Sequence, residues 1–164
     1  MSFPFVPQKR LVILLVLVVS GCGYQWTKTH KIQIDACEIG PIINYSVDRR
    51  ASGLARRILE KYVSGKPCAH RKIHLTILPF STSIRGVDAN RLGAVSKVEV
   101  NIQLKVTSGS AKPWVSPPVR AMRYFPRGAT GFQSRIEKQD AFGIALETAI
   151  VDAIGKYRAH VRSQ

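Results

Sequence analysis

Acidic residues are scarce in this chain. Its 164 residues include 10 Asp and Glu against 25 Lys and Arg, so the formal net charge is +15. Such a field favours polyanionic partners, namely nucleic acid, anionic lipid head groups or the phosphates of a glycolipid. The alternative is that the basic surface only keeps the protein soluble.

Long hydrophobic runs are also missing, with one short exception. Leu11–Val19 is a nine-residue aliphatic run preceded by Lys9-Arg10. A membrane-spanning helix needs roughly 20 apolar residues, so this run reads as the apolar region of a signal peptide. The alternative is a transmembrane anchor that happens to end in a cysteine.

The residues after the run are those of a lipidation site. Val19-Ser20-Gly21-Cys22 resembles the bacterial lipobox, in which cleavage before the cysteine leaves a lipidated amino terminus. We therefore predict a signal peptide over residues 1–21, a lipidated tether over 22–30 and one domain over 31–164. Gly23 replaces the Asp that marks inner-membrane retention in many Gram-negative lipoproteins, so we expect the periplasmic face of the outer membrane. Nucleic acid is not expected there, which leaves membrane glycolipid as the expected polyanion.

Cysteine is rare too, with three in all. Besides Cys22, only Cys37 and Cys68 remain. In an oxidising compartment they are a possible disulfide, and two buried thiols are the alternative. The four histidines share no ligand spacing with the cysteines, so we expect neither a metal nor a cofactor.

Catalytic motifs are absent from the sequence. It has no G-x-S-x-G elbow and no phosphate-cradling glycine loop, and capping or charge pairing accounts for most of its few acids. We expect the chain not to be an enzyme.

Hydrophobic periodicity predicts an α+β fold. Alternating residues predict strands, and a stripe near the four-residue period predicts helices, the first with Ser46 as its N-cap. The resulting order β-α-β-β-β-α gives a four-stranded mixed sheet with two helices packed on one face and a polar face left open. The predicted elements are a strand at Lys31–Cys37 ended by Gly40-Pro41, a helix from Ser46 to Val63, strands at Ile73–Ile77, Val95–Thr107 and Val119–Phe125, polar loops at Ser81–Ala94 and Arg127–Gln133, and a final helix with its stripe from Ala141 to Tyr157.

Basic side chains near the edges of that open face are candidate ligands for lipopolysaccharide phosphates, because guanidinium groups bind phosphate through two parallel hydrogen bonds. The alternative is that they are simply solvated. The candidates are Arg85, Arg91, Lys97, Arg123 and Arg127.

The chain resembles the lipopolysaccharide-assembly lipoprotein family (LptE). The resemblance lies in the Cys22-Gly23-Tyr24 start, in Arg123-Tyr124-Phe125, in the Gln139-Asp140 pair before an alanine-rich last helix, and in the order of the elements. It implies a lipoprotein that plugs a large outer-membrane β-barrel, helps the barrel to assemble, binds lipopolysaccharide and contributes to its insertion in the outer leaflet. The Cys37/Cys68 pair departs from that family.

Two other functions are compatible with the sequence. One is an outer-membrane lipoprotein that regulates a cell-wall synthase by protein–protein contact. The other is a peripheral envelope enzyme that acts on an anionic polymer.

Overall fold

Two helices and a mixed β-sheet make up the fold in a computed structural model, which describes residues 34, 36, 38–63, 70–85, 95–109, 111–126 and 131–164. These residues belong to one compact unit, Lys31–Gln164. The α+β prediction is confirmed. The elements are β1 (Glu38–Asn44), α1 (Ala51–Tyr62), β2 (Arg71–Ile77), β3 (Ser81–Arg85), β4 (Val95–Ser108), β5 (Trp114–Val115), β6 (Val119–Pro126) and α2 (Gly131–Arg162).

The sheet has six described strands rather than the predicted four, because two shorter strands, and not one long strand, pair along each side of β4. Along one side of β4, β2 pairs with its second half and β3 with its first half. Along the other side, β6 pairs with the first half and β5 with the second. The order β-α-β-β-β-α is corrected accordingly: β3 lies inside the predicted loop Ser81–Ala94, and β5 lies in the segment before β6.

The first strand is displaced from its predicted position. It runs through Gly40-Pro41, the pair that we expected to end it, and it pairs in parallel with β2. Proline is tolerated there because β1 lies at the edge of the described sheet, and the register shifts between Ile39 and Ile42. Within the predicted strand Lys31–Cys37, Ile34 forms only an isolated bridge with Val63.

The start of α1 also differs from the prediction. The N-cap position is Arg50, and no side chain of the described residues caps the helix. The Ser46 hydroxyl instead donates to Asn44 Oδ1, which places Ser46 inside the turn that precedes the helix. The helix ends next to Val63, as predicted.

The last helix begins earlier than its apolar stripe suggests. It starts at Gly131, inside the predicted loop Arg127–Gln133, so Glu137 and Asp140 lie beyond its first turn. Residues 133–140 include no fully buried side chain, whereas Ala141 and Phe142 are buried. Periodicity detects only the part of a helix that packs on the core.

One hydrophobic core lies between the sheet and the helices. The side chains of β4 that face the helices are almost wholly buried, and so is the predicted stripe of α2. Their alternate neighbours on β4 are polar, which confirms the one-sided pattern expected of this strand. The core members of β4 are Val98, Val100, Ile102, Leu104 and Val106, and those of α2 run from Ala141 to Tyr157.

The predicted signal peptide and tether, residues 1–30, lie outside the described residues, as do Cys22, Cys37 and Cys68. The domain division, the lipidation and the disulfide therefore stay predictions. Among the described helices, none is both long and apolar enough to cross a bilayer.

Candidate functional site

An ion-paired cluster lies on the sheet face turned away from the helices. Glu99 Oε2 accepts hydrogen bonds from Lys97 Nζ at 2.9 Å and from a terminal nitrogen of Arg120 at 2.5 Å. The Lys97 and Glu99 side chains are only 9% and 12% exposed, whereas that of Arg120 is 56% exposed. Hydrogen bonds from Lys97 and then from Arg120 lower the pKa of Glu99 below its ordinary value. The cluster therefore has a structural role: it pairs a carboxylate with a lysine whose side chains are both largely buried.

The five predicted lipopolysaccharide ligands do not form one described group. Arg91 and Arg127 lie outside the described residues, and Arg85 ends β3 with its side chain outside them too. Lys97 is held by Glu99 between its register neighbours Ser83 and Tyr124. Arg123 remains as an exposed cation, without an ion pair in the described part of the chain.

Lys97 and Arg123 lie on opposite faces of the sheet. Arg123 is the register partner of Val98, whose side chain is in the core beneath the helices, while Lys97 is one residue earlier in the same strand. Successive side chains of a strand point to opposite faces. A single ligand on the polar face would contact Lys97 but not Arg123.

A stronger candidate site is a cleft of about 690 Å³ beside the start of α1 and the first turns of α2. We call it the basic cleft. Four exposed cations line it together with one acid, Asp48. Its cationic residues are Arg49, Arg50, Arg135 and Lys138.

The chain forms one wall of the basic cleft with a tight turn. Asn44 Nδ2 donates to the Asp48 carbonyl at 2.8 Å, and the Asp48 carboxylate accepts from the backbone N–H of Arg50 at 2.8 Å. This turn holds Arg49 and Arg50 directly before α1. The positive end of the α1 dipole therefore lies next to these two residues in the chain, and it too favours anions.

The second wall comes from α2. Arg135 and Lys138 are three residues apart, a spacing that places both on the same side of a helix. None of the four cations makes an ion pair with another described residue. Their charge is consequently available to a ligand.

Apolar side chains complete the basic cleft. Phe80, in the connection after β2, lies against Phe142 of α2, with their ring centroids 4.9 Å apart. Val47 is 96% exposed at the rim. Cations beside an aromatic floor suit a ligand that carries phosphate groups next to hydrocarbon.

Sequence reasoning missed this site because its halves are far apart in the chain. Helical periodicity places Arg49 and Arg50 at the polar positions of the predicted Ser46–Val63 helix, and Arg135 follows the predicted loop Arg127–Gln133. The available signal was a pair of arginines just before one helix and two cations at i and i+3 near the start of another. Only the fold shows that they face the same space. Among the described residues, no group of His, Cys, Asp and Glu is arranged to hold a metal ion.

The fold is similar to those of solved bacterial lipoproteins. Rare lipoprotein B from Shewanella oneidensis is 11% identical, with 77% of this chain and 96% of that chain covered, at a TM-score of 0.50. A minor lipoprotein from Acinetobacter baumannii is 9% identical, with 77% and 95% covered, at a TM-score of 0.43. No protein-family model matches the sequence, and no curated protein matches it. At this identity, the first likeness establishes a shared fold.

Proposed function

We propose that this chain is a lipid-anchored lipoprotein of the bacterial outer membrane that plugs and helps to assemble the β-barrel lipopolysaccharide translocon. In this role it binds lipopolysaccharide during its insertion in the outer leaflet. Cys22 carries the anchor, and the barrel and lipopolysaccharide are the two partners. The chain has no enzymatic step of its own.

The basic cleft carries the proposal. Its four cations around an aromatic floor match a ligand whose phosphates adjoin acyl chains, and an exported protein meets that chemistry in lipopolysaccharide. The lipobox-like Cys22 and the fold shared with rare lipoprotein B support the lipoprotein part. The barrel partner rests on the resemblance of residues 22–164 to the lipopolysaccharide-assembly lipoproteins.

The cleft replaces the sheet edge as the first place to look for lipopolysaccharide contacts. Lys97 already pairs with the Glu99 carboxylate, so it would contribute little to the binding of a phosphate group. Arg123 is exposed and stays a candidate. Arg85, Arg91 and Arg127 stay predictions.

Binding of purified lipopolysaccharide in detergent to the mature protein tests the proposal. The double variant Arg49→Ala/Arg135→Ala removes one cation from each wall. A hydrogen bond to a charged group contributes roughly 1.5–3 kcal/mol, so we expect affinity to fall at least tenfold.

The matched control is Arg57→Ala/Lys112→Ala, which removes two exposed cations outside the cleft. Its affinity should stay within about twofold of the parent's, since distant surface charges act only through a screened field. Dephosphorylated lipopolysaccharide should bind the parent as weakly as the intact form binds the cleft variant. Equal loss in both double variants would mean that net charge, and not the cleft, governs binding.

A further inference from the structure

A second groove runs between the last strand and the last helix, away from the basic cleft. Two adjoining hollows of about 470 Å³ and 180 Å³ lie along β6 and α2, and Ile144 lines both. We call this the β6–α2 groove. Its apolar lining includes Ala121, Ala141 and Val151.

The strand that borders this groove, β6, is an edge strand of the described sheet. Within the described residues, β6 pairs only with β4, so no described strand pairs with the backbone N–H and C=O groups on its other side. Such an edge is a template for one more strand. Extended peptides bind other proteins in this way, with backbone hydrogen bonds supplying affinity and side-chain pockets supplying specificity.

The charge of the groove is opposite to that of the chain. Only 10 residues of the protein are acidic, yet four of them line this groove alongside two arginines. Arg120 is already paired with Glu99. The four acids are Glu137, Asp140, Glu147 and Asp152.

The acids differ in how far they are satisfied. Glu147 accepts from Tyr62 and Lys61, and Asp152 lies 3.7 Å from Lys156. Glu137 Oε1 accepts from Gln133 Nε2 at 3.3 Å, whereas its Oε2 is buried and has no hydrogen-bond partner among the described residues. A buried carboxylate oxygen without a donor is costly, and a donor from a bound partner would remove that cost.

We propose that the β6–α2 groove binds an extended basic segment of another protein as an additional strand beside β6. Small and branched apolar side chains of the segment contact Ala121, Ala141 and Ile144. Its alternate Lys or Arg residues meet the carboxylates of α2.

Charge complementarity selects this partner over a second copy. Two copies joined at β6 would bring the same acidic helix faces together, and like charges in register are destabilising. The proposed segment belongs to a different chain. The surface that it uses lies outside the basic cleft and shares with the candidate lipopolysaccharide ligands only Arg123, which lines the groove.

Fluorescence anisotropy with a labelled peptide tests the inference. The probe is an eight-residue peptide of alternating Lys and Val, added to the full mature protein. Three comparisons are made: the same peptide N-methylated at every second residue, an alternating Glu and Val peptide, and the protein variant Asp140→Lys. The control variant is Glu60→Lys, which makes the same charge change at an exposed position of α1 outside the groove.

We expect saturable binding of the Lys-Val peptide, weakened at least tenfold by N-methylation or by Asp140→Lys and changed less than twofold by Glu60→Lys. The Glu-Val peptide should not bind. Equal binding of the N-methylated peptide would overturn strand addition, and equal loss in both protein variants would overturn the groove as the site. A dimer in sedimentation that Asp140→Lys abolishes and the peptide does not displace would overturn the choice of partner.

The lipopolysaccharide assay separates this inference from the proposed function. Asp140→Lys should retain lipopolysaccharide affinity, because Asp140 does not line the basic cleft. Arg49→Ala/Arg135→Ala should retain peptide affinity. Each proposal can therefore fail while the other stands.

Discussion

The rings of Phe80 and Phe142 lie 4.9 Å apart at 43° and join the connection after β2 to α2 beneath the basic cleft. Phe142 is 5% exposed and belongs to the main core, while Phe80 is partly buried against it. The aromatic floor of the proposed lipid site is thus also part of what fixes α2 on the sheet. The ligand site and the fold share this contact.

Replacing Phe142 tests that contact. Phe142→Ala leaves a cavity and should lower the free energy of unfolding by roughly 3–5 kcal/mol in urea denaturation. Phe80→Ala should cost less, because part of that ring is already exposed. A cost for Phe142→Ala no larger than that of an average surface change would show that the floor does not anchor α2.

The Glu99 carboxylate should make stability depend on pH in acid. Because Lys97 and Arg120 lower its folded pKa, its contribution is present above its ordinary pKa near 4.5 and is lost as the pH falls through the folded value. Glu99→Gln should therefore flatten this part of the stability profile, measured by thermal unfolding from pH 3 to pH 7.

At neutral pH the free energy of unfolding of Glu99→Gln should be about 2 kcal/mol lower than that of the parent, because the buried Lys97 ammonium loses its carboxylate partner. Glu60→Gln, at an exposed position of α1, is the control. It should leave both the stability at neutral pH and the loss of stability in acid nearly unchanged. If Glu99→Gln lost stability in acid as steeply as the parent does, the role of the cluster would be contradicted.

The Tyr62 hydroxyl should link the two helices in a pH-dependent way. It donates to Glu147 Oε1 at 3.0 Å, and burial, followed by this hydrogen bond to a carboxylate, raises the pKa of Tyr62. Because the pKa is raised, the contribution of the Tyr62 hydroxyl to stability is complete below the ordinary value near 10. It is lost as the pH rises through the pKa of the folded state.

Tyr62→Phe removes the donor and should cost about 1 kcal/mol at pH 7, measured by urea denaturation. Tyr45→Phe, at a side chain 63% exposed, serves as the control. Ultraviolet titration of the phenol groups should show one ionisation fewer at the alkaline end in Tyr62→Phe. Loss of an earlier ionisation instead would refute the assignment.

Gly40 is needed where β1 passes His74. A Cβ at this position would lie 2.8 Å from both Cε1 and Nδ1 of the imidazole and 3.2 Å from the Ile73 carbonyl oxygen. Gly40→Ala should destabilise the protein by about 1–3 kcal/mol, the range expected of overpacking.

Adding His74→Ala to Gly40→Ala should recover part of the loss, because the ring is the closer obstacle. Gly53→Ala is the matched control, because nothing lies within 4 Å of a Cβ added there. This substitution should raise the free energy of unfolding by roughly 0.5–1 kcal/mol. Additive costs in the double variant would show that the ring and the new methyl group do not collide.

The sequence predicts those elements whose side chains alternate between core and solvent. β4 and the packed part of α2 follow from this pattern because one of their faces is almost fully buried. β3 does not, since Ser81–Arg85 contains one large apolar residue, and neither do the early turns of α2, which extend beyond the core. The hydrophobic pattern of a sequence reflects burial, and the described side chains of these segments are not fully buried.

The candidate sites depend even more on tertiary structure. The basic cleft joins a turn before α1 to the start of α2, and no spacing rule connects Arg50 with Lys138. The Lys97–Glu99 pair illustrates the converse error. The alternating pattern of β4 predicts that Lys97 faces solvent. In the structure Ser83 and Tyr124 flank Lys97 in register, and its ammonium group pairs with Glu99.

The most direct measurement of the central claim is a tagged pull-down of the full-length lipoprotein from its own detergent-solubilised outer membrane, followed by mass spectrometry. We predict one large β-barrel protein at stoichiometric yield, retained by the Arg49→Ala/Arg135→Ala variant because the cleft is assigned to lipopolysaccharide. Recovery of a cell-wall synthase, or of no barrel at all, would contradict the role in the translocon.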